Sequence, residues 1–152
     1  MEGDQEAQEA QIREEFDNWI EQKKYLHFRD RSPRIRIGEV WWCSVGYNVG
    51  VEINGKGSTY IRPVVIYKVL GRYSFLGIPL TSQPKHGTWY AEFTFKNRAQ
   101  YAALCSMRAM SKARLFKKYG ELSKGDYLGI INALRRLYID ENIELIRTEG
   151  AA

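Results

Sequence analysis

Two short runs, Ile61-Arg62-Pro63-Val64-Val65-Ile66 and Ile78-Pro79-Leu80-Thr81-Ser82, constrain this chain more than any other feature. Each joins β-branched apolar residues, which favour a buried strand, to a polar residue at the end of the run. Gly71-Arg72 between them reads as a Gly-first turn, so the two runs must return antiparallel as 61–70 and 73–80. A chain built on such a pair needs further strands to cover it, and Arg62 and Thr81 are the side chains it would present at its end.

The flanking segments supply those strands. Glu39 to Val45 and Thr88 to Phe95 alternate with period two, and Tyr101 to Met110 is the expected fifth strand. Gly46 to Gly57, with four glycines and two asparagines, reads as a long mobile loop, and Ser82 to Gly87 as a second loop. A phosphate-cradling P-loop is excluded there, because the Walker pattern is absent and no helix follows. Five short strands joined by turns imply a small, strongly bent sheet or barrel.

Helices are expected at both ends. Ile12, Phe16, Trp19 and Ile20 form one apolar stripe after a frayed polar segment, and a stripe with Trp and Phe must pack on something. Ser123-Lys124-Gly125-Asp126 starts a second helix in capping-box fashion. That helix turns Tyr127, Ile130, Ile131, Leu134, Leu137 and Tyr138 toward the sheet and ends near residue 139. The organisation is therefore an acidic helix with a basic linker (1–37), a β-rich domain with its C-terminal helix (38–139) and a tail (140–152). The class is mainly β with helices, α+β.

Charge is segregated along this plan. Residues 1–22 hold eight Asp/Glu and one Arg, whereas 38–120 hold twelve Lys/Arg against Glu39, Glu52 and Glu92. A cationic domain suits a polyanionic partner, although scattered Lys/Arg on a solvated surface gives the same count. Residues 29–37 are basic too, either a phosphate contact or a solvated connector. Cys43 and Cys105 sit in apolar runs without a CxxC spacing, so buried reduced thiols and a cytoplasmic setting are expected, with no metal site. The polar N-terminus is unlike a signal peptide, and no apolar run approaches spanning length.

In order along the chain, Gly38-Glu39-Val40-Trp41-Trp42, Gly50-Val51-Glu52, Arg62-Pro63-Val64-Val65, Ile78-Pro79-Leu80-Thr81-Ser82, Arg108, Arg114-Leu115 and the C-terminal helix resemble the MazF/PemK toxins of bacterial toxin-antitoxin systems. The resemblance covers about residues 38 to 138, and the N-terminal helix resembles an extension of longer members. It implies an SH3-like barrel and a homodimer. It also implies metal-independent, sequence-selective cleavage of single-stranded RNA, no cofactor, and restraint by a cognate acidic antitoxin. Arg62 matches the family arginine assigned to proton transfer and phosphate stabilisation, and Thr81 the threonine that holds the scissile phosphate. Substrate contacts are expected from Glu52, Tyr47, Lys56, Tyr60, Ser82, Lys85 and His86 in the adjoining loops. Trp41, Trp42 and Trp89 are read as core or dimer contacts.

Taken singly, Arg62 reads better as a strand-end salt-bridge partner of Glu52, and Thr81 as a turn-capping hydroxyl; the ordered set favours the functional reading. Two departures stand out. Cys105-Ser106 occupies the place where many members carry Asp-Gln, and Val51 the place where some carry a histidine, so the general base is unassigned. A catalytically degenerate RNA- or protein-binding module and a gyrase-directed toxin on the same fold are the competing readings.

Overall fold

The computed structural model describes residues 1–150. Its β-strands are β1 (Glu39–Ser44), β2 (Ile61–Leu70), β3 (Ser74–Thr81), β4 (Tyr90–Phe95), β5 (Arg98–Ala103), β6 (Arg108–Ser111) and β7 (Leu115–Glu121). They pair antiparallel in the order β4-β5-β3-β2-β1-β7, with β6 beside β3. The α+β class holds. The described residues form seven strands rather than about five, in a bent sheet whose end strands β4 and β7 do not pair.

The hub is β3. Its first half pairs with β6, from Ser74↔Ser111 to Gly77↔Arg108, and its last residues pair with β5 through Leu80↔Ala102 and Thr81↔Tyr101. The expected single strand 101–110 is thereby split: Leu104–Ser106 forms a 3₁₀ turn, and β5 and β6 lie along different stretches of one neighbour. The basic stretch 115–121, for which no element is expected from sequence, becomes β7 by pairing with β1 across two bulges. The first hairpin is also longer than predicted: Leu70 pairs with Ser74, so its loop has three residues.

Period-two alternation explains why the consecutive apolar residues of β2 are all buried. Val65 packs with Val40, Ile78, Leu80, Phe93, Leu104, Ile130 and Leu134 on one face. Val64 and Ile66 pack with Trp41, Cys43, Phe75, Met110 and Leu115 on the other. The sheet thus carries a core on each side, as a continuous apolar strand requires. The first core is closed by α2 (Lys124–Arg135), whose N-cap Ser123 accepts at Oγ from the Asp126 amide at 3.1 Å. This helix does not stop near 139: it runs through a π turn (Arg136–Asp140) into α3 (Glu141–Gly150).

At the other end, α1 (Glu2–Phe28) is helical from its second residue, where fraying was expected. Its packing stripe is rotated from the predicted one. Ile12 and Ile20 are exposed, while Trp19 and Leu26 are buried with Tyr60, flanked by Tyr47 and Phe116. The linker after it is strapped to the domain rather than solvated. Arg29 donates to the Ala113 carbonyl at 3.1 Å, Arg31 to the Phe116 carbonyl and Ser32 to the Arg72 carbonyl at 2.9 Å. No described helix is long and apolar enough to cross a membrane.

Candidate active site

The β2–β3 register runs Val64↔Pro79, Val65↔Ile78. Continued by two residues, it sets Arg62 opposite Thr81, so the strand pairing itself brings the two expected site residues together. They line one cleft of about 560 Å³. One wall is the loop before β2 (Val51, Glu52, Ile53, Lys56), another the segment after β3 (Gln83, Lys85, Trp89, Tyr90), and the 3₁₀ turn contributes Cys105 and Ser106. An adjoining hollow of about 240 Å³ shares Glu52, Ile53, Cys105 and Ser106 and extends the groove to Arg108.

Arg62 is held by backbone alone. Its Nε donates to the Asn54 carbonyl at 2.8 Å and its Nη1 to the Leu80 carbonyl at 3.2 Å. Among the described residues no carboxylate pairs with it; the strand-end ion pair with Glu52 is not formed, because Glu52 accepts instead from the Val49 amide at 2.9 Å. Burial lowers the Arg62 pKa from its ordinary value, with no anion to offset it. A guanidinium remains cationic in such a place. The outcome is a half-buried positive charge, aimed by two carbonyls, with Nη2 unengaged. Such a group favours an anion that approaches from the cleft.

Thr81 is nearly buried, and its Oγ1 accepts from the Gln83 amide at 3.2 Å. The turn-capping contact is therefore real. It uses a lone pair and leaves the hydroxyl proton free to donate. Capping and anion binding are compatible on one oxygen.

The loop 46–60 is cross-braced rather than loose. Asn48 receives a bond from none of its neighbours' side chains but gives two, from Nδ2 to the Val45 and Ile53 carbonyls, while its amide donates to Asn54 Oδ1 at 2.6 Å. The Gly55 amide donates to the Gly46 carbonyl at 2.8 Å, and a Cβ on Gly55 would lie 1.8 Å from the Tyr60 carbonyl oxygen. The back of the loop rests on α1. Gly46, at φ +96°, faces the Trp19 ring so closely that an added Cβ would sit 2.6 Å from it. Tyr60, at φ 51°, donates to Glu15 Oε2 at 2.6 Å. Helix, loop, Asn54 and Arg62 form one connected support.

That support takes up two residues expected to contact substrate. Tyr60 is 3 % exposed and anchored under α1, and Tyr47 packs edge-on against Phe16 with centroids 4.8 Å apart; neither lines the cleft. Aromatic loop residues can serve an intramolecular partner as well as a base, and only the position of α1 decides between them. Ser82 and His86 are exposed but are not on the cleft wall, whereas Glu52, Lys56 and Lys85 are. Trp89 was expected in a core or dimer contact, and in the folded chain it is 61 % exposed on the cleft wall. For a core position the alternation from Thr88 gave the wrong signal, because the strand begins only at Tyr90. Cys43 is buried as expected and its thiol is pushed up to about 12 by burial, but Cys105 is exposed in the cleft.

The chain matches the family model described as "PemK-like, MazF-like toxin of type II toxin-antitoxin system" over residues 36–138. Solved structures of the same fold include MazF (Form-I) from Deinococcus radiodurans, at 17% identity and TM-score 0.56 over 72% of this chain and 98% of that one. They also include an endoribonuclease from a Mycobacterial species in complex with its cognate antitoxin, at 17% identity and TM-score 0.54 over 68% of this chain and 93% of that one. The MazE-MazF (Form-II) structure from Deinococcus radiodurans matches at 14% identity and TM-score 0.53, over 72% and 98%. No curated protein matches the chain.

Proposed function

Because the chain belongs to the PemK-like, MazF-like toxins of type II toxin-antitoxin systems, we propose that it is a toxin endoribonuclease that cuts single-stranded RNA at selected sequences without a metal ion. The observation that carries this reading is Arg62: a half-buried guanidinium, without a carboxylate partner among the described residues, beside a threonine hydroxyl with an unused proton. Those two donors suit the chemistry of RNA cleavage by its own ribose. The 2′-hydroxyl attacks the adjacent phosphorus, negative charge grows on the non-bridging oxygens, and the 5′-oxygen leaves.

In this reading Arg62 Nη2 and the Thr81 hydroxyl bind the non-bridging oxygens as their charge develops, and the departing 5′-oxygen takes its proton from water. Glu52 is the only carboxylate on the cleft wall among the described residues, and it accepts the 2′-hydroxyl proton. Lys56 and Lys85 hold flanking phosphates. Products are a 2′,3′-cyclic phosphate and a 5′-hydroxyl. The active form is a cytoplasmic homodimer, restrained by a cognate acidic antitoxin drawn to the basic central domain.

One observation favours a second reading. Cys105 and Ser106 stand on the cleft wall in place of an acid–amide pair, which removes strong hydrogen-bonding groups from the substrate side. A protein that binds RNA without cutting it would look the same there. Incubating purified protein with a long single-stranded RNA in EDTA separates the two. Cleavage with cyclic phosphate ends, lost on the order of a hundred- to a thousandfold in Arg62→Ala and incompletely restored in Arg62→Lys, supports the nuclease. Binding without cleavage supports the module, and cleavage that stops in EDTA or leaves 5′-phosphates refutes the mechanism.

A further inference from the structure

We infer that Trp89 is a stacking platform for one unpaired base, so that the cleft receives a single strand with that base on the indole and a phosphate at Arg62; the inference rests on the nuclease reading above. Trp89 is the largest side chain on the cleft wall and is 61 % exposed, whereas Trp19 and Trp41 are at 7 % and 8 %. An indole left in water forgoes the stabilisation that burial gives a large apolar group.

The backbone beneath the ring is fixed. The Trp89 carbonyl accepts from the Leu104 amide at 2.9 Å and the Cys105 amide at 3.4 Å, and the Tyr90 amide closes a turn onto the Gly87 carbonyl at 3.4 Å. A flat ring on a pinned support has few rotamers to lose when a ligand covers it. Its surroundings are cationic. Among the described residues Arg62, Lys56 and Lys85 face the same cleft against one carboxylate, that of Glu52, with Lys85 Nζ 5.9 Å from the Tyr90 ring centroid.

A ligand that complements this wall must offer an open π face together with anionic groups a short distance away. A single-stranded nucleic acid has both, whereas the bases of a duplex are stacked on one another and cannot cover the indole. Stacking is tolerant of base identity, so Trp89 sets register and affinity; the choice of sequence falls to other groups.

The test uses the full chain and an oligonucleotide carrying 2′-deoxyribose throughout, which removes the nucleophile. One abasic site is walked through its positions. Trp89→Ala should weaken binding of the intact strand on the order of five- to a hundredfold, and Trp89→Phe should retain most of the affinity. At one abasic position the effect of Trp89→Ala should vanish, since the base it would have held is already absent. No loss of binding, or an equal loss at every abasic position, overturns the platform. So does a fall in oligomeric mass on Trp89→Ala, which would make the indole a contact between copies. Coupling to one base in a protein that cuts no RNA would leave the platform standing and the nuclease reading refuted. Cleavage by a Trp89→Ala variant that binds as wild type would do the reverse.

Discussion

Truncating Trp19 to alanine tests whether α1, which lies ahead of the family-matched segment, belongs to the machinery of the cleft. The ring is 7 % exposed, lies 5.6 Å from the Tyr60 ring centroid to centroid, covers Gly46, and carries the Arg114 guanidinium at 5.7 Å. Removing a buried aromatic of this size costs about 3–5 kcal/mol. Domain stability is typically about 5–15 kcal/mol, so the sheet and its two cores should stay folded. The docking of α1 draws on far less: Leu26, the Phe16–Tyr47 contact, the Glu15–Tyr60 bond and the strap of residues 29–32. Losing Trp19 should therefore release the helix while the domain survives. Tyr60 then loses the partners that hold it in a left-handed conformation, which costs a non-glycine residue about 1–2 kcal/mol. The loop relaxes, and Arg62 Nε loses its fixed acceptor, the Asn54 carbonyl. In hydrogen exchange, the amides of Val45, Gly46 and Gly55, which bond within this loop, should exchange at least tenfold faster, while those of Val65 and Ile78 keep wild-type protection. Single-turnover RNA cleavage should fall by a similar factor. If exchange quickens and cleavage is unchanged, the link from helix to arginine is wrong; if neither changes, α1 is not docked through Trp19 at all.

Further outcomes follow from particular groups. A thiol reagent should modify Cys105 at once in the folded protein and Cys43 only on unfolding, since Cys43 is wholly buried; two equally fast thiols would contradict the second core. Burial and Glu15 push the Tyr60 hydroxyl up to about 12, so the folded state holds a proton that the unfolded chain loses near pH 10. Stability should be full below about pH 10 and decline as pH rises toward 12, less steeply in Tyr60→Phe, by denaturant titration. Gly77→Ala should destabilise by about 1–3 kcal/mol, because its Cβ would lie 2.5 Å from Met110 Cε and 2.6 Å from Val64 Cγ1; an unchanged melting midpoint would refute that packing. Light scattering at micromolar concentration should give the mass of a dimer, and a monomer would remove the homodimer from the proposed function.

Local chemistry carried a good part of this protein in its sequence. The apolar run of β2 was long enough to demand burial on both faces, Gly71 ended it, and Ser123 capped α2 with its own side chain, so these elements lie where their residues predict. That Arg62 and Thr81 come to one cleft was legible for the same reason, since both end runs that must lie antiparallel. What the sequence could not determine are the choices made between segments far apart in the chain. Residues 115–121 have no strand-like alternation and become β7 only because the open edge of β1 is there to pair with. The run 101–110 is divided because β3 offers two stretches of edge, to β5 and to β6. Tyr47 and Tyr60 look like loop aromatics waiting for a base until α1 is laid over them, and Trp89 looks like core until β4 begins one residue later. Alternation and propensity are properties of neighbours in sequence; which edge is free, and which aromatic is already covered, are properties of the folded surface, where the hydrophobic effect rewards whatever apolar area is left open, regardless of which part of the chain supplies the cover.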